Sequence, residues 1–555
     1  MLRSIRLGLA LAVVGLIIFA PQATASSSSG GWKFQPTINA PWAQGDNEQP
    51  LDSPITAAGL CRSSQFATTN PYAPTSNVDV IGADAINSSG FSNFGCNTPQ
   101  NETTVAVNPT NPKNLIAGSN DYRVCCDFDG LNDASGWAYA SFDNGAHWTN
   151  VQVPGLTNQT GGQGNFKRVD AAGDPAMAFG PDGTAYYANL VFSRVSRASG
   201  VAVSVSHDGG VTWGAPTMVA YNDGIFLNDK EFITAGPDGK VVVTWTRFNL
   251  GPKQAGYRES PIVMAISKDG GNTWNRQGSP VSDGAHPFDQ GSMPQYAPDG
   301  ALYVAYEGAT PASGYSQDAT VIARSTDDGQ TFTNTEVGRV YDDFDCYPTF
   351  GSQTLTGEHF RLNSFPSFSI DPTNGKLAIA WADDRAAGNC GSGSSSFVGT
   401  TNAKLVLVTS TNGTSFSTPK VISAGDVVFP GIAANKGKIA VSYYTRAYGP
   451  THDPALCNLV TGDGAVTEGV PSPIDVCLDY AARTSTNGYA TETRLTTQGS
   501  NPYVEFANGT FIGDYSQIAF GANGKAHPVW TDFRGNPNAG GTRANQDVYT
   551  TIYTP

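Results

Sequence analysis

Apolar and polar residues alternate in short bursts along this 555-residue chain. Val201-Ala202-Val203-Ser204-Val205 and Ile262-Val263-Met264-Ala265-Ile266 are two such bursts, and runs of this period read as strands. Four of the bursts end in the same turn, S-x-D-x-G-x-x-aromatic, starting at Ser141, Ser206, Ser267 and Ser325 and closing on Trp148, Trp213, Trp274 and Phe332. Ser and Asp can hold a tight turn by bonding nearby backbone N–H groups, and Gly takes angles that other residues avoid. The aromatic residue arrives as the next strand begins. Eroded copies follow at Ser410-Thr411-Asn412-Gly413, with Phe416, and at Ser485-Thr486-Asn487-Gly488.

A longer unit contains this turn. A strand opens it, a tight turn reverses it, and a more apolar strand returns. A loop, a third strand, the Ser/Asp turn and a fourth strand complete it. Opening and returning strands read Glu102–Val107 with Asn114–Ala117, Asp174–Phe179 with Gly183–Tyr187, and Glu231–Thr234 with Lys240–Trp245. Further openings fall at Ser292, Phe365, Phe429 and Ile512, with returns at Leu302–Tyr306, Leu377–Trp381, Ile439–Tyr443 and Ala526–Trp530. Seven units of roughly 55 to 85 residues predict an all-β propeller of four-stranded blades. Six blades and a pair of separate sandwiches are the competing counts. The seventh unit stops after its third strand, Asp547–Tyr553, so Val78–Ile81 is expected to supply the fourth and close the ring.

Residues 1–25 carry Arg3 and Arg6, an apolar run from Leu7 to Ala20, and Ala23-Thr24-Ala25, the layout of a secretory signal peptide. Residues 26–95 form a Ser-, Pro- and Asn-rich leader, and 96–555 the propeller. A formal charge of -15 argues against nucleic acid as a partner. The expected protein is a secreted monomer that does not insert into membranes. Its eight cysteines suit disulfides. Cys457 with Cys477 is expected to close the long loop of unit six, and Cys346 with Cys390 to tie units four and five. Cys61, Cys96, Cys125 and Cys126 pair among themselves in an open order.

Alternating strand direction puts first-strand starts and second-strand ends on the face opposite the Ser/Asp turns. Starts contribute Glu102, Asp174, Asp229, Lys230, Glu231, Asp289, Asp514 and Tyr515. Ends contribute Arg123, Arg194, Arg247, Glu307, Arg385, Arg446 and Arg534. Guanidinium forks suit a carboxylate or sulfate on a sugar, and carboxylates suit acid–base work at a glycosidic bond. Intra-blade Asp–Arg pairs such as Trp-Thr-Asp-Phe-Arg would be structural instead.

The repeated turns resemble the Asp boxes of sialidases and their relatives, over residues 101 to 553. That resemblance implies a sialidase-like propeller with its turns structural and its chemistry on the other face. It implies an exo-acting glycosidase of acidic glycans, or a non-catalytic propeller binding glycan or protein. Gly513-Asp514-Tyr515-Ser516 resembles the segment with the nucleophilic tyrosine, so Tyr515 is the nucleophile candidate, with Glu307 or Glu231 as its base. Asp514, Asp229 and Asp174 are the other acid–base candidates, and Arg123, Arg247, Arg385, Arg446 and Arg534 the substrate-binding set. The Arg-Ile-Pro motif of sialidases is missing: its place reads Asn101-Glu102-Thr103-Thr104, and the nearest fragment is Phe360-Arg361-Leu362. No cofactor is expected. Acidic loops at Asp127–Asp133 and Asp342–Asp345 are the places where a structural Ca²⁺ could sit.

Overall fold

The computed structural model describes residues 77–81, 100–122, 134–194, 196–250, 258–315, 317–341, 354–355, 358, 360–385, 401–459, 474–502, 511–534 and 546–555. Seven four-stranded antiparallel sheets make up the fold. Their first strands are Gln100–Val107, Ala171–Phe179, Phe226–Ala235, Asp289–Tyr296, Ser367–Ile370, Val427–Asn435 and Gln517–Phe520, defining blades 1 to 7 in chain order. Each first strand touches the next, and the last touches the first, so the seven close into a ring. Seven blades, not six, is the count. Among the described residues no helix is long and apolar enough to cross a membrane.

Returning strands are buried almost throughout because a neighbouring blade covers each face. Trp245, Trp381 and Trp530 on them are fully buried. The Ser/Asp turns contribute to that packing. In blade 1, Gly145 N donates to Ser141 Oγ at 2.9 Å, and Asp143 Oδ1 accepts from Ala146 N and His147 N. Blades 2, 3 and 4 repeat the pattern at Asp208, Asp269 and Asp327. The glycine is required twice over in blade 2. Gly210 has φ +98°, and a Cβ there would stand 2.5 Å from Ile116 Cγ2 of blade 1. The turn therefore docks each blade onto the one before it.

The closing strand sits where the sequence predicts. Val78–Asp79 pairs antiparallel with Asp547–Thr550, Val78 opposite Thr550, as the fourth strand of blade 7. Val80 and Ile81 then enter the core beside Val105, Trp137 and Val548. Asn150 Nδ2 donates to Val80 O, tying the segment to blade 1 as well. Burying an aliphatic side chain contributes about 1.5–3 kcal/mol. Removing the chain through Ile81 is therefore expected to cost about 4 kcal/mol or more in urea unfolding; an unchanged midpoint would refute closure by this segment.

Candidate functional site

The first strands do not run straight. In blades 1 to 4 and 6 the pairing with the second strand slips by one residue, at Asn101/Thr104, Gly173/Ala176, Asp229/Phe232, Gln290/Met293 and Val428/Gly431. Such bulges re-aim a side chain. The bulged residue takes positive φ each time: Glu102 at 56°, Asp174 at 50°, Lys230 at 51°, Gly291 at 68° and Phe429 at 50°. A non-glycine residue held there costs about 1–3 kcal/mol, so the surrounding contacts must hold it in place.

Blades 1, 2 and 3 spend their bulges on one ionic cluster. Lys230 Nζ lies 3.0 Å from Glu102 Oε1, 3.2 Å from Asp174 Oδ2 and 2.9 Å from Asp514 Oδ2 of blade 7. Arg361, in the connection before blade 5, donates to Asp514 Oδ1 and Oδ2 at 2.9 Å each. Asp229 and Glu231 flank Lys230, and all seven groups are buried. Neither oxygen of Glu231 has a hydrogen-bond partner. Tyr515 is half-buried above them, its ring 5.0 Å from Lys230 Nζ and edge-on to Phe232 at 5.9 Å.

Two cations thus stand among five carboxyl groups, and burial disfavours the excess negative charge. Burial pushes Glu231 well above the usual carboxylate range, and Asp174 pushes it further. Burial raises Glu102 to about 8, Asp229 to about 7 and Asp174 to about 6, with Lys230 opposing in each. Asp514 goes the other way: burial works against its charge, but Arg361 and Lys230 together hold it at about 2. Near neutral pH the cluster therefore contains protonated carboxyls, Glu231 and Glu102, close to the ionised Asp174 and Asp514. Such a split is what acid–base catalysis needs. Burial and then the nearby carboxyls push the Tyr515 phenol well above its ordinary range, so it stays protonated.

Five of the residues expected to be catalytic, Tyr515, Glu231, Asp514, Asp229 and Asp174, come together here. Glu307 does not sit at the axis: it is buried one strand further out, opposite Gln290, whose amide faces Asp229. Among the described residues, the arginines of the expected set form no central clamp. Arg385 grips Asp383 and Arg534 grips Asp532, each within its own blade. Arg446 lies 3.7 Å from Asp426, and Arg247 stacks over Phe226. The Trp-x-Asp-x-Arg segments serve blade cohesion: Asp383 and Asp532 also accept the indole N–H of Trp381 and Trp530. Arg123, Cys346, Cys390, Cys61, Cys96, Cys125, Cys126 and both acidic loops lie outside the described residues.

Sequence reading placed Glu102 and Lys230 on this face without giving them a role, and set Arg361 aside. Glu231 was aligned with Glu102 and Asp174, whereas the bulge makes Lys230 their equivalent. Only the slip at Asp229/Phe232 shows that offset of one.

Blade 6 carries a second polar group. Its loop after Thr445 holds a short hairpin, Asn458–Leu459 with Ile474–Asp475, and the Cys457–Cys477 disulfide. His452 is pinned between Asp475 Oδ2 at 2.8 Å and Asp479 Oδ2 at 2.6 Å. Burial alone would lower the imidazole, but those two carboxylates raise it to about 9. The stabilisation from its charge is fully present below an unfolded-state pKa near 6.5 and is lost as pH rises through about 9. In thermal melts His452→Gln should fall furthest below wild type at pH 6 and match it by about pH 10. A gap that widens with pH would refute the pairing.

No family model matches the chain, and no curated protein does. Solved structures share its fold at low likeness. The Hadza microbial sialidase Hz136 is 14% identical over 62% of this chain and 63% of its own, with TM-score 0.41. The GH93 α-L-arabinofuranosidase of Fusarium graminearum, complexed with arabinobiose, is 12% identical over 86% and 97%, with TM-score 0.42. A PL25 ulvan lyase is 11% identical over 62% and 76%, with TM-score 0.38. Likeness this low says nothing of chemistry.

Proposed function

We propose that this chain acts on carbohydrate, hydrolysing a glycosidic bond at the ring centre with Glu231 as proton donor and Asp174 as the ionised partner. The observation that carries this is the buried cluster of five carboxyl groups around Lys230 and Arg361, with both Glu231 oxygens free of hydrogen bonds, beside a half-buried tyrosine. Glu231 protonates the leaving oxygen; Asp174 stabilises or attacks the anomeric carbon, directly or through water. Lys230 and Arg361 are both engaged by Asp514, which positions them and exchanges no proton in the working range. Tyr515 keeps its proton, so a tyrosine nucleophile would need Asp174 to take that proton as the bond forms.

Arg247, Arg385, Arg446 and Arg534 of the expected substrate-binding set already contact protein groups, which favours a neutral sugar over the acidic glycan that the sialidase resemblance implies. A hydrolysis panel on the full protein tests this, using aryl glycosides of neutral sugars, α-L-arabinofuranosides, α-sialosides and ulvan oligosaccharides, with Tyr515→Phe alongside. Turnover of a neutral glycoside is the expected result. Cleavage of sialosides alone would restore the acidic-glycan reading. Binding without turnover of any of them would make this a binding propeller and end the hydrolase proposal.

A further inference from the structure

The loop of blade 6 borders a cleft of about 600 Å³, lined by Arg446, Pro450, His452, Pro454, Asn458 and Asp475. Its polar groups are held before any ligand arrives. Asp475 accepts from His452 Nδ1 and from Cys477 N, and Arg446 Nη2 donates to Asp475 O at 2.9 Å. Behind them, Asp479 is fixed by His452, Arg494 and Thr496. The disulfide clamps the hairpin that bears Asn458 and Asp475. Rigid donors and acceptors between two proline rings suit sugar hydroxyls and the C–H face of a pyranose or furanose ring.

One short connection links this cleft to the ring centre. Arg361 reaches the central cluster through Asp514, while Glu358, three residues earlier, is fully buried with neither carboxyl oxygen hydrogen-bonded. Its carboxyl lies close enough to Arg446, Asp475 and Asp426 to feel their charges. Three residues of chain span at most about 11 Å, and the Glu358 and Arg361 side chains extend from its two ends toward the two sites.

We propose that the blade 6 cleft is a distal glycan subsite, holding one sugar unit of a chain while another unit of the same chain lies over the central cluster. Arg446 and Asn458 donate to its hydroxyls and Asp475 accepts from them. This rests on the carbohydrate reading above and narrows the substrate to an oligomer or polymer.

The test is native electrophoresis of the full protein through gels containing arabinan, ulvan or polysialic acid, beside turnover of single-sugar aryl glycosides. Wild type is expected to be retarded by one polymer. Asn458→Ala and Arg446→Ala should each cut that retardation roughly fivefold, the worth of one hydrogen bond. No retardation by any polymer, or retardation that neither substitution changes, overturns the subsite. Cleavage of aryl glycosides by a protein that ignores all three polymers sinks the subsite and leaves the hydrolase proposal standing. Substitution-sensitive retardation without cleavage does the reverse.

Discussion

Replacing Lys230 with methionine is expected to destabilise the protein by about 3–5 kcal/mol, the usual cost of removing one partner from a buried ion pair. Lys230 Nζ stands within 3.2 Å of carboxylates from blades 1, 2 and 7. Without it, Glu102, Asp174 and Asp514 face one another in a dry site with Arg361 as the remaining cation. They can stay buried only by taking up protons. The loss should therefore be smaller at pH 5 than at pH 8, because carboxyls whose folded pKa is raised above the unfolded value give up stability as pH rises. Urea unfolding at the two pH values measures it. A loss below 1 kcal/mol at pH 8 would mean that the cluster does not hold the blades together.

Glu231→Gln should lower turnover by about 10²–10⁴, the contribution of a positioned proton donor, while the melting temperature near neutral pH stays at or above wild type because the cost of keeping a buried carboxyl protonated is gone. Glutamine keeps the shape, and neither Glu231 oxygen has a hydrogen bond to lose. The pH profile gives a second readout. Activity should rise with pH through about 6 as Asp174 ionises. It should fall only on the alkaline side, because burial and Asp174 hold the Glu231 proton well past the ordinary carboxylate range. In Glu231→Gln the alkaline limb should vanish from whatever activity remains. Wild-type turnover in this variant would place the donor elsewhere.

The blade count, the turns and the closing strand were legible because each has a local signature. Ser141, Asp143 and Gly145 lie within five residues, and the same chemistry recurs at Ser206, Ser267 and Ser325. Val78–Ile81 was legible by subtraction, since blade 7 lacked a strand. The site was half legible. Face and residue types could be read, and Tyr515, Asp174, Asp229, Glu231 and Asp514 do meet. Of the two readings open for the arginines, a substrate-binding set or intra-blade Asp–Arg pairs, the second holds for Arg385 and Arg534, whose partners Asp383 and Asp532 lie two residues away in the chain. Arg361 was missed. Its partner Asp514 is 153 residues away, and nothing local marks the connection that brings it to the axis.

The fourth strand of blade 7, Val78–Asp79, precedes blade 1 in the chain, and its partner Asp547–Thr550 follows the rest of blade 7. During synthesis the molecule is therefore an open arc whose end sheets lack a neighbour and whose unpaired strand edges invite other chains. The contact that joins them spans almost the whole polypeptide, so it carries a heavy loop-closure cost and forms late. Once made, it gives every blade a neighbour on both sides. The ring should consequently fold slowly, be most at risk of aggregation before Val78–Asp79 pairs with Asp547–Thr550, and afterwards persist through a high barrier to reopening.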